Sequence, residues 1–197
     1  MISYVIYMSG RDQSVMLAHR CLDSSKLYNW NLKLFEGVDG STVKENKDWE
    51  HWNIKINQEN AKCRDAMSRP GVRGCFLSHW TLWNKCVELN EPIGVFEHDV
   101  EFLKDSPHTL NFQDILKLEG FQKNKERPAG TWWTGAMAYI LKPSGANKLL
   151  NWIKENGALP VDVVIGSNVL NVDFDYDKRV RYSIDEISFT RDTEWIN

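Results

Sequence analysis

The chain has 197 residues, 42% hydrophobic and 26% charged, with a formal net charge of -3. One domain spanning 1–197 is expected, long enough to bury a sizeable core, and the slight negative balance excludes a general attraction to nucleic acid. Four cysteines, Cys21, Cys63, Cys75 and Cys86, form no C-x-x-C pair, which argues against a zinc ribbon or a disulfide framework and for reduced thiols in a reducing compartment.

The N-terminus has neither a basic n-region nor a long apolar h-region, and no apolar run reaches the length of a membrane span. A cytoplasmic protein without a transmembrane segment is therefore expected, with peripheral contact to a membrane surface left open. Nine tryptophans lean toward a ligand site, because indole stacks on sugar rings and bases as well as filling cores.

Residues 2–8 are apolar and rich in β-formers, and Ser9-Gly10 ends them, which predicts a strand. A helix is predicted over 11–24, with Val15, Ala18 and Leu22 on one face. A second strand at 32–35 is followed by the turn cluster 36–40. Strand, helix, strand and glycine-rich loop predict a βαβ unit in a mostly parallel sheet.

Residues 41–71 are polar and irregular, anchored by Trp49, Trp52, Ile54 and Ile56. A loop of this length is functional, mobile or partly helical. Arg64, Arg69 and Arg73 at its end either form a solvated face or offer a cation to a phosphate.

Gly71-Val72-Arg73-Gly74 leads into a strong helix over 75–89. Phe76, Trp80, Trp83 and Val87 form its main stripe. Gly74, Ser78, Thr81 and Lys85 form a small polar stripe beside it, where another backbone or a ligand can approach. The helix N-terminus presents free N–H groups suited to phosphate. His79 reads either as a hydrogen-bonded core histidine or as a ligand.

Pro92 turns the chain into a short apolar run that ends in Glu97, His98, Asp99 and Glu101. The run reads as a buried strand. Ligands of open α/β sheets bind at the carboxyl ends of such strands. If the strand stays extended, Glu97, Asp99 and Glu101 share a face. Carboxylates so placed call for a hard divalent cation between them.

The stretch 106–127 is polar, with a short amphipathic piece at 115–118, and 128–130 punctuates it. Residues 131–135 lead into a buried strand at 136–141. A helix opens at Pro143 and is capped by Gly157. An apolar run at 159–165 contains one acid, Asp162. An acidic loop with Asp173, Asp175 and Asp177 precedes a final strand at 179–184.

In order along the chain, the N-terminal strand and helix, Phe35-Glu36-Gly37-Val38-Asp39-Gly40, Gly74-Cys75-Phe76-Leu77-Ser78-His79, Phe96-Glu97-His98-Asp99-Val100, Gly135-Ala136-Met137-Ala138-Tyr139-Ile140, Gly145-Ala146-Asn147-Lys148-Leu149-Leu150 and Leu159-Pro160-Val161-Asp162 resemble motifs of glycosyltransferase family 25. This lipooligosaccharide galactosyltransferase family also includes collagen galactosyltransferase domains. The matches run from residue 2 to about 165.

The resemblance implies a GT-A-like, Rossmann-type α/β sandwich that uses a nucleotide-sugar donor, usually UDP-galactose, often with Mn²⁺ (or Mg²⁺), and inverts the anomeric centre. It implies a glycan or lipid-linked saccharide acceptor. The metal would lie at Asp99, Glu97 and His98. Arg73, Gly74, Ser78, His79 and Glu97 would lie along the donor. Asp162 stands as general base or as a structural acid at a strand end. His98 occupies a position where the family carries an acid, which removes one negative charge from the metal site. Two readings follow: an inverting hexosyltransferase, or a catalytically inactive relative that binds sugar nucleotide or glycan. The absence of G-x-G-x-x-G and of a P-loop argues against a third, a different nucleotide-dependent α/β enzyme.

Overall fold

A computed structural model of the protein describes residues 1–43, 49, 52–118, 135–166 and 168–182. Its centre is a six-stranded sheet in the order β2-β1-β3-β6-β5-β7. The strands are β1 (Ile2–Tyr7), β2 (Leu32–Glu36), β3 (Ile93–Glu97), β5 (Ile115–Lys117), β6 (Ala138–Leu141) and β7 (Val172–Phe174). The pairs β1/β2, β1/β3 and β5/β7 are parallel, whereas β3/β6 and β5/β6 are antiparallel. The expected α/β sandwich with a mostly parallel sheet is what the chain forms. A two-stranded antiparallel ribbon, β4 (Val100–Phe102) with β8 (Val180–Tyr182), stands apart from the main sheet.

Side chains alternate along each strand, and in β1, β3 and β6 both faces are buried. Tyr4, Ile93, Val95, Tyr139 and Leu141 pack with helices α3 (Pro70–Leu89) and α4 (Pro143–Asn156) on one face. Val5, Phe96, Ala138 and Ile140 pack on the other, with Ala18 and Cys21 of α1 (Asp12–Lys26), Trp30, and Phe102 and Val180 of the ribbon. Among the described residues, no helix is long and apolar enough to cross a membrane.

Several local expectations change. The buried face of α1 is Ser14, Leu17, Ala18, Cys21 and Ser25, rather than Val15, Ala18 and Leu22. Its serines are buried because they serve the backbone: Ser14 Oγ accepts from Met8 N, and Ser25 Oγ donates to Leu22 O. Helix α3 begins five residues early, at Pro70. Proline suits the first helical position because its missing N–H would have no intrahelical partner there. The polar stretch 41–71 contains a short helix, α2 (Ala61–Met67), capped by Asn60 Oδ1 accepting from Cys63 N.

Residues 115–117 are a strand of the main sheet, between β6 and β7. Its Lys117 is buried, with Nζ donating to Gly135 O. The apolar run at 159–165 is not a strand but a single helical turn, α5 (Val161–Val164). The residues of the predicted strand beyond 182, and the segment 131–134, lie outside the described residues.

Candidate active site

Chain order turns at the centre of the sheet. The chain leaves β1 for β2 on one side and returns to β3 on the other. Such a switch opens a crevice at the carboxyl ends of the two parallel strands. A cleft of about 820 Å³, open mouth included, lies there. The end of β1 contributes Tyr7, Met8 and Arg11. The loop after β2 contributes residues 38–41. The first turns of α3 contribute Pro70, Gly71, Gly74, Cys75 and His79, and the end of β3 contributes Glu97, His98 and Asp99.

The loop is held against α3 by two glycines. A Cβ on Gly40 would lie 1.9 Å from Pro70 O and 2.6 Å from Gly74 N, and one on Gly74 would lie 2.4 Å from Val38 O. Ser78 Oγ donates to Gly74 O (2.7 Å) and accepts from Val38 N (2.9 Å). The small polar stripe thus receives a backbone, the loop 38–40.

Arg73 is buried. Its Nε and Nη2 donate to Gly40 O (3.3 and 3.0 Å), and Nη1 donates to Ser68 O (3.1 Å). Neither Arg73 nor Ser78 lines the cleft; both hold its wall. In the loop, Ser41 N and Oγ donate to Asp39 Oδ1, which holds the carboxyl below its usual range, with Arg11 adding to the effect. Arg11, Asp39 and Tyr7 were missed as candidate site residues from sequence. The Asp39-x-Ser41 spacing of an Asx-type turn was the available signal.

The strand does not stay extended past Glu97. A turn at His98 and Asp99 separates β3 from β4 and breaks the alternation that would align Glu97, Asp99 and Glu101. Glu101 instead pairs with Arg181 across the ribbon, Oε2 to Nη2 2.8 Å, and does not line the cleft. Asp99 is buried at the cleft wall, and Glu97 and His98 are partly exposed there. Among the described residues, the cluster whose ligand atoms all lie within 4.8 Å of one another is Cys75, His79 and Glu97. The trio Glu97, His98 and Asp99 is not so gathered. Asp162 sits exposed on α5, outside the cleft lining, yet its charge reaches Cys75.

His79 is fully buried, with Nδ1 2.7 Å from Tyr139 Oη, while Trp83 Nε1 donates to the same hydroxyl at 2.9 Å. A hydroxyl that accepts from Trp83 has a proton to donate to Nδ1 and a second lone pair to accept from Nδ1–H, so the hydroxyl serves either imidazole tautomer. Nε2 itself makes no hydrogen bond, and Glu97 Oε1 lies 3.9 Å away. Burial, then the nearby Lys117 charge, lowers the His79 pKa from 6.5 to about 3. Burial, then Glu97 and Asp162, raises the Cys75 thiol well above its usual range. At neutral pH the inner cleft therefore holds a neutral imidazole and a thiol.

This arrangement predicts a pH dependence. Between about 3 and 6.5 the unfolded chain binds a proton at residue 79 that the folded chain refuses. The contribution is fully present above the unfolded value and is lost as pH falls toward the folded one. The melting temperature is expected to fall as pH is lowered from about 7 to about 4.5, by up to ~1.4 kcal/mol of stability per unit from this group. Thermal melts across that range should show a smaller slope in His79→Gln.

Among the described residues no tryptophan lines the cleft. Trp30, Trp49 and Trp83 are core, and Trp52 meets Trp80 edge-on at 5.5 Å. Among the described residues, these tryptophans serve packing.

Residues 14–126 match the model of glycosyltransferase family 25 (LPS biosynthesis protein). A lipooligosaccharide biosynthesis protein, lex-1, of Haemophilus influenzae is 28% identical, over 52% of this chain and 44% of that protein. A glycosyltransferase 25 family member of Anopheles gambiae is 26% identical, over 80% of this chain and 30% of that protein. The chain thus spans less than half the length of these relatives. Among solved structures, the galactosyltransferase LgtC in complex with donor and acceptor sugar analogues aligns with a TM-score of 0.48 and 10% identity, over 88% of this chain and 73% of that one.

Proposed function

The chain belongs to glycosyltransferase family 25, and from that premise we propose that it transfers a hexose from a UDP-sugar to a hydroxyl of a glycan or lipid-linked saccharide. The family analogy favours galactose and inversion. The observation that carries the reading is the cleft at the β1/β3 switch point, where the acidic end of β3 faces the first turn of α3.

The donor's leaving group is a nucleoside diphosphate. The free N–H groups at the start of α3 and the Arg11 cation favour a phosphate entering the cleft. The loop 38–41, pinned by the glycine contact, forms the wall against which the nucleoside would lie. Ions such as Mn²⁺ or Mg²⁺ at phosphate sites are held by one or two carboxylates plus the phosphates, not by an all-protein cage. Asp99 and Glu97 fit that requirement, with His98 as a further donor suited to Mn²⁺. An ion so held would neutralise the charge that develops on the departing diphosphate.

Asp162 is the proposed base for the acceptor hydroxyl. It is an exposed acid on the single turn α5, and its charge adds to the upward shift of the Cys75 thiol. A non-catalytic binding role is the second reading. It is favoured by His98 in the acidic motif and by the position of Asp162 outside the cleft lining.

A screen of UDP-sugars with and without Mn²⁺, scored for binding and for UDP release, separates these readings. Metal-dependent release supports transfer. Binding without turnover for every acceptor tried supports the second reading. No binding of any UDP-sugar excludes both.

A further inference from the structure

We propose that Cys75, His79 and Glu97 form a second, preorganised cation site on the inner wall of the cleft, suited to Zn²⁺. Cys75 and His79 are four residues apart on α3 and so share one face. Glu97 ends β3 opposite them. Their Sγ, imidazole nitrogen and carboxylate oxygen all lie within 4.8 Å of one another. His79 Nε2 is buried without a hydrogen bond and faces Glu97.

The donor set decides the metal. A thiolate, an imidazole and one carboxylate make a three-ligand protein site with one open position, a pattern Zn²⁺ accepts and Mg²⁺ does not. Ligands about 2.0–2.3 Å from a tetrahedral zinc sit roughly 3.3–3.8 Å from each other. The 3.9 Å between Nε2 and Glu97 Oε1 is close to that, and the remaining spacings are no more than 4.8 Å.

The surroundings suit it as well. A zinc-bound imidazole donates its other N–H to a fixed acceptor. Tyr139 Oη lies 2.7 Å from Nδ1 and is itself oriented by Trp83. With Nε2 turned to the cation, the ring proton lies on Nδ1 and the Tyr139 hydroxyl is the acceptor. The Cys75 thiol releases its proton to solvent, so one proton leaves per cation bound and affinity rises with pH. Thiolate and carboxylate together cancel the charge of a divalent ion, which matters beside the buried Lys117 ammonium.

The site goes beyond the transfer reading and touches it at Glu97. A cation bound here withdraws Glu97 from the Asp99 side, so zinc is expected to oppose Mn²⁺-dependent turnover if the transfer reading holds.

The decisive experiment does not depend on turnover. Metal-free protein is titrated with Co²⁺, and sulfur-to-cobalt charge-transfer absorption is followed. One equivalent is expected to develop the band and Zn²⁺ to bleach it. Cys75→Ser is expected to abolish it, Glu97→Gln to weaken Zn²⁺ binding at least tenfold, and Tyr139→Phe to weaken it about 10- to 100-fold. Cys63→Ser and Asp99→Asn should leave it intact. Absence of the band, or a band that survives Cys75→Ser, overturns the proposal, whatever the UDP-sugar screen shows.

Discussion

Asp99→Asn is expected to lower metal-dependent UDP release by on the order of 10²- to 10³-fold, the usual loss when one group stabilising developing charge is removed. The substitution keeps the shape of the side chain and removes its charge. Asp99 is 4% exposed, on the wall of the cleft, in the turn directly after β3. An isosteric amide there should leave the fold in place, and circular dichroism and melting temperature should confirm it. The loss should appear in kcat more than in KM, because the charge it opposes develops as the diphosphate leaves. A variant that folds and retains full Mn²⁺-dependent release would remove Asp99 from the mechanism.

Gly40→Ala should produce a larger structural effect than the same change at Gly10, Gly37, Gly74, Gly94, Gly145 or Gly157. The added Cβ would fall 1.9 Å from Pro70 O, a contact with backbone that no side-chain rotation relieves. Either the loop leaves α3 or the start of α3 shifts. Overpacking of this kind costs about 1–3 kcal/mol and occasionally more. For a chain of this size each kcal/mol lowers the melting temperature by about 2–4 °C. Because the loop is also a wall of the cleft, UDP-sugar affinity should fall in protein that is still folded. Gly10→Ala is the control, since nothing lies within 4 Å of its added carbon. Equal melting temperatures and equal nucleotide affinity for the two variants would show that the Gly40 contact does not hold the site.

Much of this architecture is legible in the sequence. Strands β1, β3 and β6 read as apolar runs, because strands covered on both faces have little polar alternation to disguise them. Strand β5 did not. It is only three residues long, and its Lys117 made it look amphipathic, although that lysine is buried with its ammonium on Gly135 O. The start of α3 was read late, because glycines at 71 and 74 suggest a loop. The missing side chain of Gly74 is what lets the loop 38–40 lie against the helix. In sequence Arg73 is a candidate phosphate contact, because a cation near a helix start suits an anion. Its three backbone hydrogen bonds turn it inward, and nothing in its local sequence distinguishes that outcome.

The sequence by itself determined the α/β alternation, the acidic end of β3 and the membership in glycosyltransferase family 25 that its ordered motifs implied. These are properties of hydrophobic period and local motif, which neighbouring residues specify. Only the tertiary structure decided which chemistry-bearing groups share space. The end of β3 was first a row of three aligned carboxylates. The turn at His98 and Asp99 divides it: Asp99 stays at the cleft wall, Glu101 goes to Arg181 in the ribbon, and Glu97 joins Cys75 and His79. Alternation along a strand holds only while the strand stays extended. Distances between a helix face and a strand end are set by how the layers pack, which no spacing along the chain contains.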